Sequence, residues 1–323
     1  MNMNFSSKIA LSLSWLIFCL SAKAQERVEL LPFGNMEHWL SRNVIESGII
    51  GGNTQTLFEI GDQREKTADN TAYVNRFSPW AVSSVYAKVN GITKGSVTVF
   101  PEKRDKGTVA RLETHIETVS VLGVLNINVL ASGTIFLGQM LEPIKDTKTP
   151  QSKLITGIPF TKKPSHLQFD YKVQTGGASS KINGLSKTGK LTGQSDKAEI
   201  HILLQKRWED KEGNVHALRI GTGWERMEKS VLTWQNNHRI PVHYGDISRS
   251  NVYRDYMGLR TGEKAYYTKN SKGKSVPIIE EGWGTADDEV THLIVQFSSS
   301  NGGPYIGHPE SRLWVDNIAL VYP

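Results

Sequence analysis

Cysteine is nearly absent: the 323-residue chain has one, Cys19, and it stands inside an apolar run near the N-terminus. That run, Ile9 to Leu20, follows the positive charge of Lys8 and leads to Ala22-Lys23-Ala24, the small-residue pattern of a secretory cleavage site. Residues 1–24 therefore read as a signal peptide, with the mature chain expected from Gln25. Phe18 precedes Cys19 where a lipidated cysteine would want a small neighbour, so lipid anchoring is not expected. With no thiol left in the mature chain, disulfides, thiolate metal sites and cysteine nucleophiles are excluded. Long apolar runs are also missing beyond residue 24, which leaves no membrane span. The expected destination is export, to the periplasm, the extracellular space or the outer-membrane surface.

Excess charge is slight. The formal net charge of +6 becomes +4 once Lys8 and Lys23 leave with a signal peptide that carries no acid. The most basic stretch, residues 180–197, sets its lysines among Gly, Ser and Thr without an aromatic. A nucleic-acid groove would interleave stacking rings, so a solvated loop is the reading and no nucleic-acid partner is expected. Catalytic signatures are missing too: there is no H-E-x-x-H, P-loop, G-x-S-x-G or EF-hand loop. "GTGWER" (221–226) lacks the last glycine of a dinucleotide fingerprint, and the nine histidines are scattered. Neither a catalytic zinc nor an organic cofactor is expected.

What the chain does have is strict alternation. In "HLQFDYKV" (166–173) Leu167, Phe169, Tyr171 and Val173 share one face and polar residues the other, the pattern of a half-buried strand. "LNINV" (125–129) and "HLIVQFS" (292–298) repeat it, with shorter versions at 96–100 and 200–204. Turn signals at 89–96, 211–214 and 298–304 separate the runs. Many short strands and little helical periodicity predict an all-β chain folded as an antiparallel β-sandwich. No linker divides it, so residues 25–323 are read as one domain. An aromatic-rich insertion at about 205–288 holds Trp208, Trp224, Trp234 and Trp283, and reads as strands carrying long loops.

Two kinds of residue could carry function. "RLETHIE" (111–117), taken as a strand, puts Arg111, Glu113, His115 and Glu117 on one face. Glu113 and Glu117 would then stand roughly 13 Å apart, so a glycoside hydrolase, or a lyase, using Glu113 would need a second group from elsewhere. Sugar binding without catalysis needs rings for pyranose faces and Arg, Glu, Asn or Gln for hydroxyls. Trp80 in "RFSPWAVSS" and Trp208 in "QKRWEDKE" are the stacking candidates, beside Arg111, Glu113 and His115 as polar ligands.

Several words, in order, resemble the bacterial PCMD family of carbohydrate-metabolism domains: "RLETH" (111–115), "ASGTIFLGQM" (131–140), "GIPFTKKPSHLQFDYKV" (157–173) and "VQFSSSNGGPYIGHPESRLWVDNIALVY" (295–322). The opening "FGNMEHW" (33–39) is similar to the family's start. The resemblance implies a jelly-roll sandwich exported by Gram-negative bacteria, with a role in handling carbohydrate at the envelope. The expected function is a secreted, non-catalytic binder of polysaccharide or oligosaccharide in a polysaccharide-utilisation or cell-envelope system. A hydrolase, and a surface adhesion or scaffold protein with envelope protein partners, are the alternatives. The two end words also resemble those of jelly-roll carbohydrate-binding modules, some of which hold a structural Ca²⁺ there. By that resemblance Glu37, Asp316 and Asn35 would be the ligands, with oxygen donors that suit calcium.

Overall fold

A computed structural model describes residues 26–64, 67–121, 125–146 and 149–323. The signal-peptide reading, with Lys8 and Cys19, lies outside these residues. Alternation becomes strand where it is strict: His166–Gln174 sends Leu167, Phe169, Tyr171 and Val173 into the core. Residues 89–96 hold less turn than expected. Asn90 and Gly91, at φ 49° and 80°, make the whole turn, and Ile92–Ser96 returns as a strand against Val85–Val89. Positive φ at both central residues matches the twist of a two-residue hairpin, and Gly91 takes it without strain.

Two sheets form the sandwich. The first runs in the order Val231–Pro241, His166–Gln174, Arg312–Tyr322, Gly107–Glu113, Val99–Arg104, all antiparallel. The second is centred on Thr134–Met140, His292–Ser298, Ala198–Glu209 and Val215–Met227. Their inner faces bury one core, in which the rings of Phe169 and Phe297 meet edge to face at 5.0 Å. Each such large apolar side chain stabilises the fold by about 1.5–3 kcal/mol.

The two chain ends close the first sheet. Arg27–Leu30 pairs with the last four residues of Arg312–Tyr322, as first and last strands do in a jelly roll. The chain then turns through Gly34, where a Cβ would collide with the Ile318 carbonyl, and Ile318 donates its N–H to the Gly34 carbonyl at 2.8 Å. Met36 drops into the core, while Asn317, at φ 50°, offsets the last strand by one residue. The "GNME" turn and the "DN" pair are thus two halves of one seam.

The region 205–288 is more ordered than the sequence implied. Strand pairing runs in a closed circuit from His292–Ser298 through Ala198–Glu209, Val215–Met227, Ser275–Trp283, Tyr267–Lys269 and Leu154–Thr156 to Thr134–Met140, which pairs back to His292–Ser298. Two of these pairings are parallel, which the lack of crossover helices had argued against. The circuit lies on the side of the second sheet away from the sandwich core and holds a core of its own. Leu203, Ala217, Trp224, Tyr266, Ile278 and Ile294 belong to it. Arg219 is buried there in a two-pronged pair with Glu280, whose carboxylate also accepts from Gln205 at 2.6 Å. Burial pushes the neighbouring His201 well below its ordinary pKa, and its Nε2 shares a hydrogen bond with the Tyr266 hydroxyl at 2.9 Å. Among the described residues no helix is long and apolar enough to cross a membrane.

Candidate functional site

The outer face of the first sheet carries the most organised polar and aromatic chemistry outside the cores. Phe100 is in register with Arg111, Arg111 with Trp314, and Trp314 with Lys172. Residues opposite one another on neighbouring strands share a face, so these four make one row across four strands. Trp234 of the next strand extends it. The Arg111 guanidinium lies 4.5 Å from the Phe100 ring centre, and the Lys172 ammonium 4.1 Å from that of Trp314 and 5.8 Å from that of Trp234. Rings and cations alternate along the row. At the usual strand spacing it spans about 19 Å.

Carboxylates fix one of the row's two cations, Arg111. Arg111 pairs with Glu102 at 3.1 Å and Glu113 at 2.7 Å, Arg312 reaches Glu113 at 3.2 Å, and the Trp314 indole donates to Glu102 at 2.9 Å. On the other side of the row Arg104 reaches back across the sheet. It pairs with Asp170 at 3.0 Å and Asp316 at 3.1 Å, donates to Asn236 at 2.5 Å, and lies 3.9 Å from the Trp234 ring centre. This cover explains why Asp170, a polar position expected to meet solvent, is buried; Gln168, also buried, is held by Asn237 and Arg239. Burial, opposed by the Asn317 N–H and by Arg104, pushes the Asp316 carboxyl up to about 6.

Beyond Glu113 the face opens into a groove of about 450 Å³, lined by Gln55, Thr56, Phe100, Glu113, His115 and Glu117 among others. The expected single strand 111–117 is broken at Thr114, whose hydroxyl bonds Ser299 and Ser300 at 2.7 Å. Glu113 and Glu117, on either side of the break, line the same groove. Burial pushes Glu117 up, but the hydrogen bond from His115 and the charge of Lys94 outweigh it and hold its carboxyl below the usual range.

Arg111, Glu113 and His115 are therefore brought together, as their spacing implied. The two tryptophans are not. Trp80 is 1% exposed, packed in the main core with its indole N–H on the Pro32 carbonyl at 2.8 Å, and cannot serve as a stacking platform. Trp208 is 40% exposed, but it lies nine residues along its strand from Glu199, the end near Ser298 and the groove, or roughly 30 Å away. Its ring stacks on His216 at 5.6 Å and 14°, and that imidazole is held by Asp210 at 3.1 Å and Glu281 at 2.7 Å. Phe100, Lys172, Trp234 and Trp314, which make up most of the row, were not singled out by the sequence. Their signal was present as the outward half of alternating words such as "FDYKV" and "LWVD", but inter-strand register is not written in one strand.

The calcium expectation does not fit this geometry. Asp316 faces the Arg104 guanidinium, which is already the cation at that point. Glu37 accepts the Thr108 N–H at 3.2 Å through both oxygens, and Asn35 sits in the closing turn. Among the described residues no group of three or more His, Cys, Asp or Glu is placed to hold a metal ion.

Fold and face together define an all-β sandwich whose first sheet carries alternating rings and charges on its outer face, with Phe100, Arg111, Lys172 and Trp234 half-buried and Trp314 buried. A family model described as "Putative carbohydrate metabolism domain" (PCMD) matches residues 57–321, and the chain belongs to that family. The match starts within the Thr54–Ile60 strand, so the opening "FGNMEHW" lies ahead of it. No curated protein matches the chain. Among solved structures it is similar to one described as a putative glycoside hydrolase from Bacteroides thetaiotaomicron, at 18% identity and TM-score 0.43, covering 70% of this chain and 57% of that one. The chain thus spans little more than half of that protein's length. A second, described as a putative glycoside hydrolase from Bacteroides vulgatus, matches at 14% identity and TM-score 0.40, covering 70% and 80%. A third, described as the non-crystalline cellulose specific carbohydrate-binding module CBM28, matches at 9% identity and TM-score 0.25, covering 75% and 86%.

Proposed function

We propose that this protein binds carbohydrate, without transforming it, on the outer face of its first sheet, as an exported component of a polysaccharide-utilisation or envelope system. The observation that carries the reading is the row Phe100, Arg111, Trp314, Lys172, which sets ring edges and charged hydrogen-bonding groups side by side over several strands. Apolar ring surface suits the C–H faces of sugars, and Arg, Glu and Asn around it suit hydroxyls. Membership of a carbohydrate-metabolism family supports the same reading. The test is electrophoresis of the mature chain through gels containing single soluble polysaccharides. At least one should retard the wild type, and retardation should be lost in a folded Arg111→Ala variant. If no polysaccharide retards the wild type, the reading fails.

A second reading is favoured by one observation: two carboxylates, Glu113 and Glu117, line one groove with His115. A hydrolase would use one as acid and the other as base or nucleophile. Against it, Glu113 is tied to two guanidiniums and Glu117 is held ionised, which leaves the proton donor without a carrier. Release of reducing ends that stops in Glu113→Gln would establish the hydrolase in place of the binder.

A further inference from the structure

We propose that the glycan is acidic, and that its carboxylate or sulfate sits on Lys172; this rests on the carbohydrate-binding reading above. The charges of the face are unevenly matched. Its acids, Glu102, Glu113, Asp170 and Asp316, are each paired with one or two of the guanidiniums of Arg104, Arg111 and Arg312. Lys172 is the cation of the row left over. Among the described residues its ammonium has no carboxylate at ion-pair distance, and its neighbours are the rings of Trp314 and Trp234.

The position matters as much as the missing partner. Lys172 belongs to His166–Gln174, which is paired on both sides, so the ammonium stands over the interior of the sheet and not at a rim where it could trail into solvent. Holding a lysine between two indoles costs rotamer freedom, and no fixed carboxylate in the fold offsets that cost. An oxyanion on the sugar ring would take a charge-assisted hydrogen bond from Lys172, while the ring rests on the half-buried Trp234. Neutral sugars could use the same hydroxyl contacts but would leave the ammonium unmatched. Charge on the ligand is therefore the specificity element of the row.

The experiment compares two acidic polymers, each with its neutral counterpart, on one protein, the mature full chain. They are polygalacturonate as a carboxylate polymer, its carboxyl-reduced neutral counterpart, and dextran sulfate beside dextran as the sulfate arm. Calorimetric titrations are run at two salt concentrations. At least one acidic polymer should bind about tenfold or more tighter than its neutral partner, with affinity falling as salt rises. Lys172→Met should remove most of that preference and Lys172→Arg should keep much of it. Lys187→Met, which makes the same charge change in the exposed 180–197 stretch, should leave it unchanged. Equal binding of acidic and neutral polymers overturns the inference and leaves the carbohydrate reading standing. So does an equal loss in Lys172→Met and Lys187→Met, which would mean diffuse attraction to a basic chain. If no polymer in a wide neutral and acidic panel binds, the carbohydrate reading falls and this inference with it.

Discussion

Lys172 and Trp314 face one another across the centre of the first sheet, in register, with the ammonium 4.1 Å from the indole ring centre. A cation over a ring at a half-solvated site is worth about 0.5–1 kcal/mol. Lys172→Met keeps an unbranched stem over the indole and removes the charge, so its unfolding free energy in urea should fall by no more than about 1 kcal/mol. A larger loss would make Lys172 a structural residue and weaken its assignment as a ligand.

Arg104 is the opposite case. It neutralises Asp170 and Asp316, both buried, so Arg104→Met leaves two acids facing each other. Stability at neutral pH should drop by about 3 kcal/mol, and adding Asp316→Asn should restore part of it. The pH dependence has a definite sign. Asp316 titrates near 6 in the fold, above its ordinary value, so the stability linked to its proton is full below about 4 and lost as pH rises through about 6. Asp316→Asn should flatten that part of the stability profile.

A second buried charge cluster anchors the hairpin of Trp39–Ile45 and Thr54–Ile60 beside the groove. Arg42 pairs with Glu59 at 2.8 Å and with Glu142 at 2.7 Å, and Glu142 also accepts the N–H groups of Tyr73 and Tyr86. Among the described residues Glu59 has no such backbone donor; burial, with the charge of Glu142, pushes it up to about 8 against the pull of Arg42. Stability linked to its proton is full below about 4.5 and is lost as pH rises through about 8. Glu59→Gln should be as stable as wild type near pH 5 and more stable near pH 8, read from thermal melts across that range.

The two tryptophans first considered as platforms should separate cleanly. Trp80→Ala empties a fully buried site and should cost about 3–5 kcal/mol, with glycan affinity unchanged in whatever fraction stays folded. Trp208→Ala removes an exposed ring and should change stability by no more than about 0.5 kcal/mol. It should also leave retardation in polysaccharide gels as it is in the wild type.

Alternation located some strands of both sheets, because a half-buried strand must put its apolar residues on one side. It placed His166–Gln174 and His292–Ser298 almost to the residue. The meeting of the chain ends was implied by the resemblance of two words to the ends of jelly-roll modules, and the structure gives the cause in the Gly34 and Ile318 contact. Pairing partners were not legible. Parallel pairing of Val215–Met227 with Ser275–Trp283 joins segments about sixty residues apart that share no local signal. The same limit hid the row on the outer face: Lys172 and Trp314 each looked like an ordinary outward residue, and register made them neighbours. Trp80 went astray for another reason. Its neighbours in sequence, Ser78, Pro79 and Ala81, give no face to read, yet it sits on a short strand, Trp80–Val82, buried on both sides.

The central claim, that glycan lies across the outer face of the first sheet, is tested most directly by hydrogen–deuterium exchange of the mature chain with and without a bound oligosaccharide. Protection should concentrate in 99–104, 107–113, 166–174, 231–241 and 312–316. Protection centred on 205–217 around Trp208, or none in the first sheet at saturating ligand, would contradict it.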